Sequence, residues 1–252
     1  MTIQMTTHIK TLAYIPLHYG SPYLDAVIRQ IDPHVDKILI LYTQHPSYGQ
    51  NRGLQNPDSR EQLRDIAEKA SKKIEWVEIA RTSQENHHRN LVFRYAGGYD
   101  LIMAVDSDEV FDDVPEMIEA AMATNCKTVN VDGSRWWHFW RSFNECNRDG
   151  FCPTRFHVVK GKNETAVIKA GKIYHMGYAL PENLTAYKIS VHGHKSILAT
   201  WLYTKWVNYI QGVTTVLHPD SRDVWIETEY FDKTQLPQIL KEHPYYGLER
   251  IK

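Results

Sequence analysis

Two spacings of apolar residues alternate along the first half of the chain: short unbroken runs, and repeats every three or four positions. Thr11 to Ile15 is a run, closed by the loop Pro16 to Gly20. Ser21 followed by Pro22 reads as a helix start, with serine as cap and proline at the first helical position. Tyr23, Leu24, Val27, Ile28 and Ile31 follow at helical spacing, and Pro33 closes the segment. Lys37 to Tyr42 has no polar alternation, the mark of a strand buried on both faces. Strand, helix, strand makes a βαβ unit. The pattern then predicts a loop over 43–57, a helix from Asp58 or Ser59 to Lys72, and a strand over Ile74 to Ile79. A helix over Gln84 to Tyr95 stops at Gly97 and Gly98, and a strand over Leu101 to Val105 follows. A helix over Val114 to Thr124 and a strand over Lys127 to Val131 end this half.

The second half is less regular. Ser134 to Phe151 reads as a loop crowded with Trp136, Trp137, Phe139, Trp140 and Phe143. Arg155 to Lys160 returns to strand, and 166–168 and 173–174 are short apolar pieces. A polar loop follows Tyr178, Ser196 to Ile210 reads as a helix dense in aromatics, and the remainder reads as a wrapping tail. The expected fold class is α/β. One Rossmann-like domain spans 1–252, with a mostly parallel central sheet flanked by helices and a C-terminal helical or loop extension. Within it, 1–131 is the regular first half, 132–195 the less regular second part, and 196–252 the extension.

Composition narrows the choice. A 252-residue chain with 42% hydrophobic residues can bury a core and is not a disordered chain. A formal charge of −1 gives no global field toward nucleic acid or acidic membrane, although a local basic groove is still allowed. Met1 to Lys10 lacks the apolar stretch of a signal peptide, and no run is long enough for a membrane span. Cys126, Cys146 and Cys152, an odd count without close pairs, argue against a disulfide framework and a zinc knuckle, so a reducing, cytoplasmic setting is expected.

The chemistry gathers at one place. The apolar run Leu101 to Val105 spills directly into Asp106, Asp108 and Glu109. Acids at the C-terminal end of a buried strand stand at the ligand-binding edge of an open α/β sheet. Residues two apart on extended chain point the same way, so Asp106 and Asp108 can converge. Hard oxygen donors so placed suit Mg²⁺ or Mn²⁺, which in turn suits a diphosphate. Asp108 is the expected direct ligand. His175 is a candidate third ligand, or else a hydrogen-bonded core histidine.

Four pieces, in order, resemble glycosyltransferases of the GT-A fold, family 2 in particular. They are the opening βαβ unit; Glu85-Asn86-His87-His88-Arg89-Asn90 before the acidic strand; the DxD motif in its DxDE form, Asp106-Ser107-Asp108-Glu109; and the stretch from Arg155-Phe156 through Asn163-Glu164 to His175-Met176-Gly177-Tyr178. The resemblance implies transfer of a sugar from a nucleotide-sugar donor, with a UDP-sugar expected, in the presence of Mn²⁺ or Mg²⁺. It implies that Asp106 reaches the ribose and the metal, that Arg89 and Asn90 contact the donor, and that Tyr14, Pro16 and His18 hold the base. Glu164 matches the family's acidic residue and is the first candidate base for the acceptor hydroxyl. Asn163 stands where a histidine often precedes it, and Asp132 and Asp149 are the other candidates. Inversion and retention stay open.

Two other readings have their own marks. A nucleotidyltransferase or metal phosphohydrolase would want a second acidic cluster or a glycine-rich phosphate loop, and neither occurs. A non-catalytic glycan- or nucleic-acid-binding module would use the tryptophan cluster, which is a stacking platform in that reading and local core in the other. His192 to Lys195 is either a lid or a solvated loop. The acceptor stays open among a saccharide, a protein, a small molecule and a hydroxymethylated DNA base.

Overall fold

The computed structural model describes residues 8–46, 54–79, 84–148, 151, 153–191 and 228–252. The expected helix over 196–210, the segment His192 to Lys195, Asp149 and Cys152 lie outside the described residues.

The chain folds as an α/β protein. Its elements begin with β1 (Thr11–Leu17), α1 (Ser21–Ile31), β2 (Lys37–Thr43), α2 (Arg60–Ala70), β3 (Ile74–Ile79), α3 (Glu85–Asn90) and β4 (Leu101–Ala104). They continue with β5 (Glu109–Asp112), α4 (Val114–Thr124), β6 (Cys126–Val131), β7 (Trp136–Trp140), β8 (Glu145–Asn147), β9 (Thr154–Val158), β10 (Lys162–Ile168) and β11 (Lys172–Tyr178). α5 (Glu182–Val191), β12 (Glu229–Tyr230) and α6 (Gln238–Lys241) follow. A seven-stranded sheet runs β10-β6-β9-β4-β1-β2-β3, and in it β9 opposes the other six strands. A second sheet runs β12-β8-β7-β11-β5.

The strands read most clearly from sequence are those buried on both faces. Leu12, Ala13, Ile15, Leu39, Ile40, Leu101 and Met103 have no exposed surface. Each of the leucine, isoleucine and methionine side chains stabilises the fold by about 1.5–3 kcal/mol. β1 lies between β2 and β4, so chain direction switches sides there. The C-terminal ends of β1 and β4 are therefore the switch point of the sheet, the place where open α/β sheets bind ligands.

Four local expectations are corrected. The cap of α1 is Gly20, not Ser21. The first amides of that helix are satisfied from a distance: Asp58 accepts from Gly20 N at 2.7 Å and from Ser21 N at 2.9 Å. The tryptophan-rich stretch is not loop but β7 and β8. Trp140, Phe139 and Phe143 are buried, Trp136 is nearly so, and Trp137 stacks on Tyr174 with ring centroids 5.8 Å apart. The cluster is core of the second sheet. The polar segment after Tyr178 is α5, and a short strand, β5, separates the acidic motif from α4.

Gly20 also sets the close approach of the loop after β1 to the acidic motif. Its φ is +121°, and a Cβ there would lie 2.4 Å from Ser107 Oγ, between the two aspartates of the motif. Gly20→Ala is expected to cost about 1–3 kcal/mol in backbone strain and contact. A chemical-denaturation midpoint equal to that of the parent protein would contradict this packing.

Candidate active site

β4 ends at Ala104, and the amide of Val105 donates to the carbonyl of Tyr14 at 3.0 Å. The next four residues turn out of the sheet as Asp106-Ser107-Asp108-Glu109, pinned where Ser107 Oγ donates to Tyr19 O at 3.0 Å. Each acid meets its own cation. Arg89, one turn from Glu85 on α3, reaches Asp106 Oδ1 at 2.7 Å and Glu85 at 2.8 Å. Arg155, on β9, donates to Glu109 Oε1 at 2.5 Å and lies 3.5 Å from Asp106 Oδ2. Lys188, on α5, donates to Asp108 Oδ2 at 2.8 Å. His175, on β11, turns Nε2 toward Asp108 Oδ1 at 3.6 Å and pairs through Nδ1 with His138 Nδ1 at 2.9 Å.

Burial by itself would disfavour charge on every one of these acids. At Asp106 the guanidinium of Arg89, and then that of Arg155, outweigh burial and hold the carboxyl well below the usual aspartate range. At Asp108 burial is likewise outweighed, chiefly by the ammonium of Lys188. At Glu109 burial wins: its pKa rises to about 7 despite Arg155, and its Oε2 finds no partner among the described residues. Burial lowers His175 to about 4, so its imidazole is neutral at pH 7, the form a metal ligand needs.

The donor set fits a divalent ion shared with a ligand. No group of three or more His, Cys, Asp or Glu side chains among the described residues is arranged to hold a metal. Asp108 and His175 nevertheless present two donors 3.6 Å apart, near the roughly 3 Å spacing of adjacent ligands on an octahedral ion. Mg²⁺ and Mn²⁺ are commonly completed by phosphate oxygens and water. Asp106 is committed to arginine instead, so direct metal contact there would need Arg89 to release it.

The other expected residues divide. Tyr14 is buried beside Arg89 and Asp106; burial raises its pKa, and its hydroxyl bonds Arg89. Pro16 pairs with Leu41 across β1 and β2. His18 is bonded to Thr43 O at 2.8 Å and to the Tyr187 hydroxyl at 2.7 Å. Asn90 is exposed at the end of α3. Glu164 is not brought to the site. It is exposed on the edge strand β10, three strands and about 14 Å across the sheet from β4. Thr165 is level with Ile102 through Thr128 and His157, so Glu164 sits at the opposite end of the sheet from Asp106. Asp132, by contrast, follows β6 at the same edge as Asp106, and its carboxylate accepts from Ser134 N at 2.9 Å.

Lys188 and His138 were not expected at the site. Pro181 followed by Glu182 was the one sequence signal for the helix that carries Lys188. A cleft of about 670 Å³ opens beside the end of β2, lined by Tyr42, His45, Asn56, Asp58, Arg60 and Tyr187, among others. None of Asp106, Asp108 and Glu109 lines it.

No family model matches the chain, and no curated protein matches it. Among solved structures, it is similar to residues 1–349 of S. aureus TarS in complex with UDP: 14% identity, TM-score 0.43, covering 72% of this chain and 65% of that one. It is similar to glucosyl-3-phosphoglycerate synthase from Mycobacterium tuberculosis in complex with Mg²⁺ and UDP, at 14% identity and TM-score 0.35, over 49% of this chain and 43% of that one. UDP-glucose pyrophosphorylase complexed with UDP-glucose is similar at 10% identity and TM-score 0.37, over 71% of this chain and 98% of that one. The chain spans less than half the length of the mycobacterial synthase. At such identities the side chains of the site, rather than the likeness, carry the functional reading. Among the described residues no helix is long and apolar enough to cross a membrane.

Four histidines away from the acids couple the fold to pH. Burial lowers the pKa of His18, His88, His157 and His243 from the ordinary 6.5. A group whose folded pKa is depressed leaves stability at its full value above the unfolded pKa. Between the two pKa values the unfolded chain binds protons that the folded one does not, so stability falls. Melting temperature is therefore expected to hold above about pH 6.5 and to drop below it, with His175 acting in the same direction as these four and Glu109, whose raised pKa stabilises the fold toward acid, opposing them without cancelling them. A flat profile between pH 7 and 5 would contradict these four burials.

Proposed function

We propose that this protein is a glycosyltransferase that moves a sugar from a nucleotide sugar, with a UDP-sugar as the first donor to test, to an acceptor hydroxyl. The observation that carries the reading is the Asp106–Asp108 pair at the β1/β4 switch point, with Arg89, Arg155 and Lys188 gathered on it. Three cations around two ionised acids form a receptor for a charged group that needs both signs, as a metal-bound diphosphate does.

Asp108 and His175 would hold Mn²⁺ or Mg²⁺. When bound, the ion supplies Lewis-acid neutralisation of the departing diphosphate. Arg89 and Arg155 orient the phosphates with planar forks. Asp106, held in place by both arginines, faces the ribose. The cleft beside β2 takes the nucleoside, with Tyr42, His45 and Tyr187 as its aromatic walls. Asp132 replaces Glu164 as the candidate proton acceptor for the acceptor hydroxyl, because it stands at the right edge of the sheet.

Incubation with a panel of nucleotide sugars tests the reading. Release of a nucleoside diphosphate, from one nucleotide class and dependent on the sugar, is the expected result. Release of phosphate or pyrophosphate from nucleotides that carry no sugar would replace it with hydrolysis or nucleotidyl transfer.

A further inference from the structure

The cation on Asp108 differs in kind from those on Asp106. Arg89 and Arg155 are planar and fixed, one by Glu85 and the other by Glu109. Lys188 is a point charge on a flexible stem, and flexible ammonium groups can be handed from one anion to another. Its side chain is 11% exposed and that of Asp108 10%, so the pair is closed off together. It is also built for: a Cβ on Gly177 would lie 2.3 Å from Lys188 Nζ and 2.4 Å from His175 Nε2. Glycine inside a strand marks a close approach, and here the ammonium and the imidazole edge fill the space a side chain would take. Both oxygens of Asp108 are thus faced, Oδ1 by the neutral imidazole of His175 and Oδ2 by Lys188. Tyr187, the next residue on α5, bonds His18 at the tip of β1 and lines the cleft beside β2. One helix turn therefore spans the cleft and the acids.

We propose that Lys188 is a displaceable counter-cation. It occupies Asp108 while the site is empty, yields that carboxylate to the divalent ion, and carries its charge to the donor diphosphate. The inference rests on the metal and diphosphate reading above and adds a residue to it. Two consequences follow. Without a nucleotide, Lys188 competes with the ion for Asp108, so the free protein binds metal weakly. With a nucleoside diphosphate present, the ammonium has another anion to serve, so metal and nucleotide bind with positive coupling.

Mn²⁺ binding, read from loss of the free-ion electron paramagnetic resonance signal, tests this in the parent protein and in Lys188→Met and Lys188→Gln. Glutamine keeps a hydrogen-bond donor toward Asp108 and guards against a folding defect in the methionine variant. Without nucleotide, both variants are expected to bind Mn²⁺ about tenfold more tightly, since a neighbouring positive charge has gone. With UDP added, and the Mn²⁺ that UDP binds in a protein-free control subtracted, affinity is expected to rise in every protein, because the diphosphate also ligates the ion, and to rise more in the parent protein than in the variants. Affinity unchanged or weakened in both variants would overturn the proposal. Tighter Mn²⁺ binding in the variants, with no effect of UDP in any protein, would keep Lys188 as the competitor on Asp108. It would instead overturn the transfer of its charge to a nucleotide, and the nucleotide reading with it.

Discussion

Asp108→Asn is expected to lower sugar transfer about a thousandfold. A metal-ligand carboxylate supports several kcal/mol of charge stabilisation, and about 4 kcal/mol corresponds to that loss of rate. The choice of asparagine follows from the environment. Asp108 is 7% exposed and paired with Lys188 at 2.8 Å. Alanine would leave a buried ammonium without a partner, at a cost of about 3–5 kcal/mol, and activity and folding would fail together. Asparagine keeps an oxygen for Lys188 while weakening the metal ligand. Transfer assays beside a melting curve separate the two effects. Transfer within tenfold of the parent protein would remove Asp108 from the reaction.

The second large effect concerns stability. Arg155→Ala is expected to destabilise the protein by about 3–5 kcal/mol, on the order of 10 °C in melting temperature. Glu109 has no exposed surface and Arg155 is 9% exposed at the side chain, so removing one partner strands the other. Arg155 also lies over the Trp136 ring, 5.6 Å from its centroid, and that packing is lost as well. The double variant Arg155→Met with Glu109→Gln is expected to recover most of the loss, because a matched apolar and neutral pair no longer needs compensation. Equal melting temperatures for Arg155→Met alone and for the double variant would show that packing, not charge, accounts for the effect.

The first sheet was legible because β1, β2 and β4 are buried on both faces and so appear as unbroken apolar runs. The acidic motif was legible because three carboxylates at the end of such a run have few structural uses. The second sheet was not. Trp136-Trp137-His138-Phe139-Trp140 shows no polar alternation, and β7 pairs with β11 more than thirty residues away, a contact no local pattern announces. α5 was missed because it is buried around most of its girth: Leu184, Thr185, Tyr187, Lys188, Ile189, Ser190 and Val191 show no single apolar stripe. Lys188 meets Asp108 across 80 positions of sequence, and Arg155 meets Glu109 across 46. Glu164 was matched by its order in the chain, but register, not order, decides which end of a strand a residue occupies.

Thermal stability with UDP and other nucleoside diphosphates, each with and without Mn²⁺, tests the central claim most directly in the parent protein and in Asp108→Asn. A ligand that binds the folded state alone raises its melting temperature by mass action. The account predicts a rise with one nucleoside diphosphate that requires Mn²⁺ and disappears in Asp108→Asn. No rise with any nucleotide, with or without the ion, would contradict it.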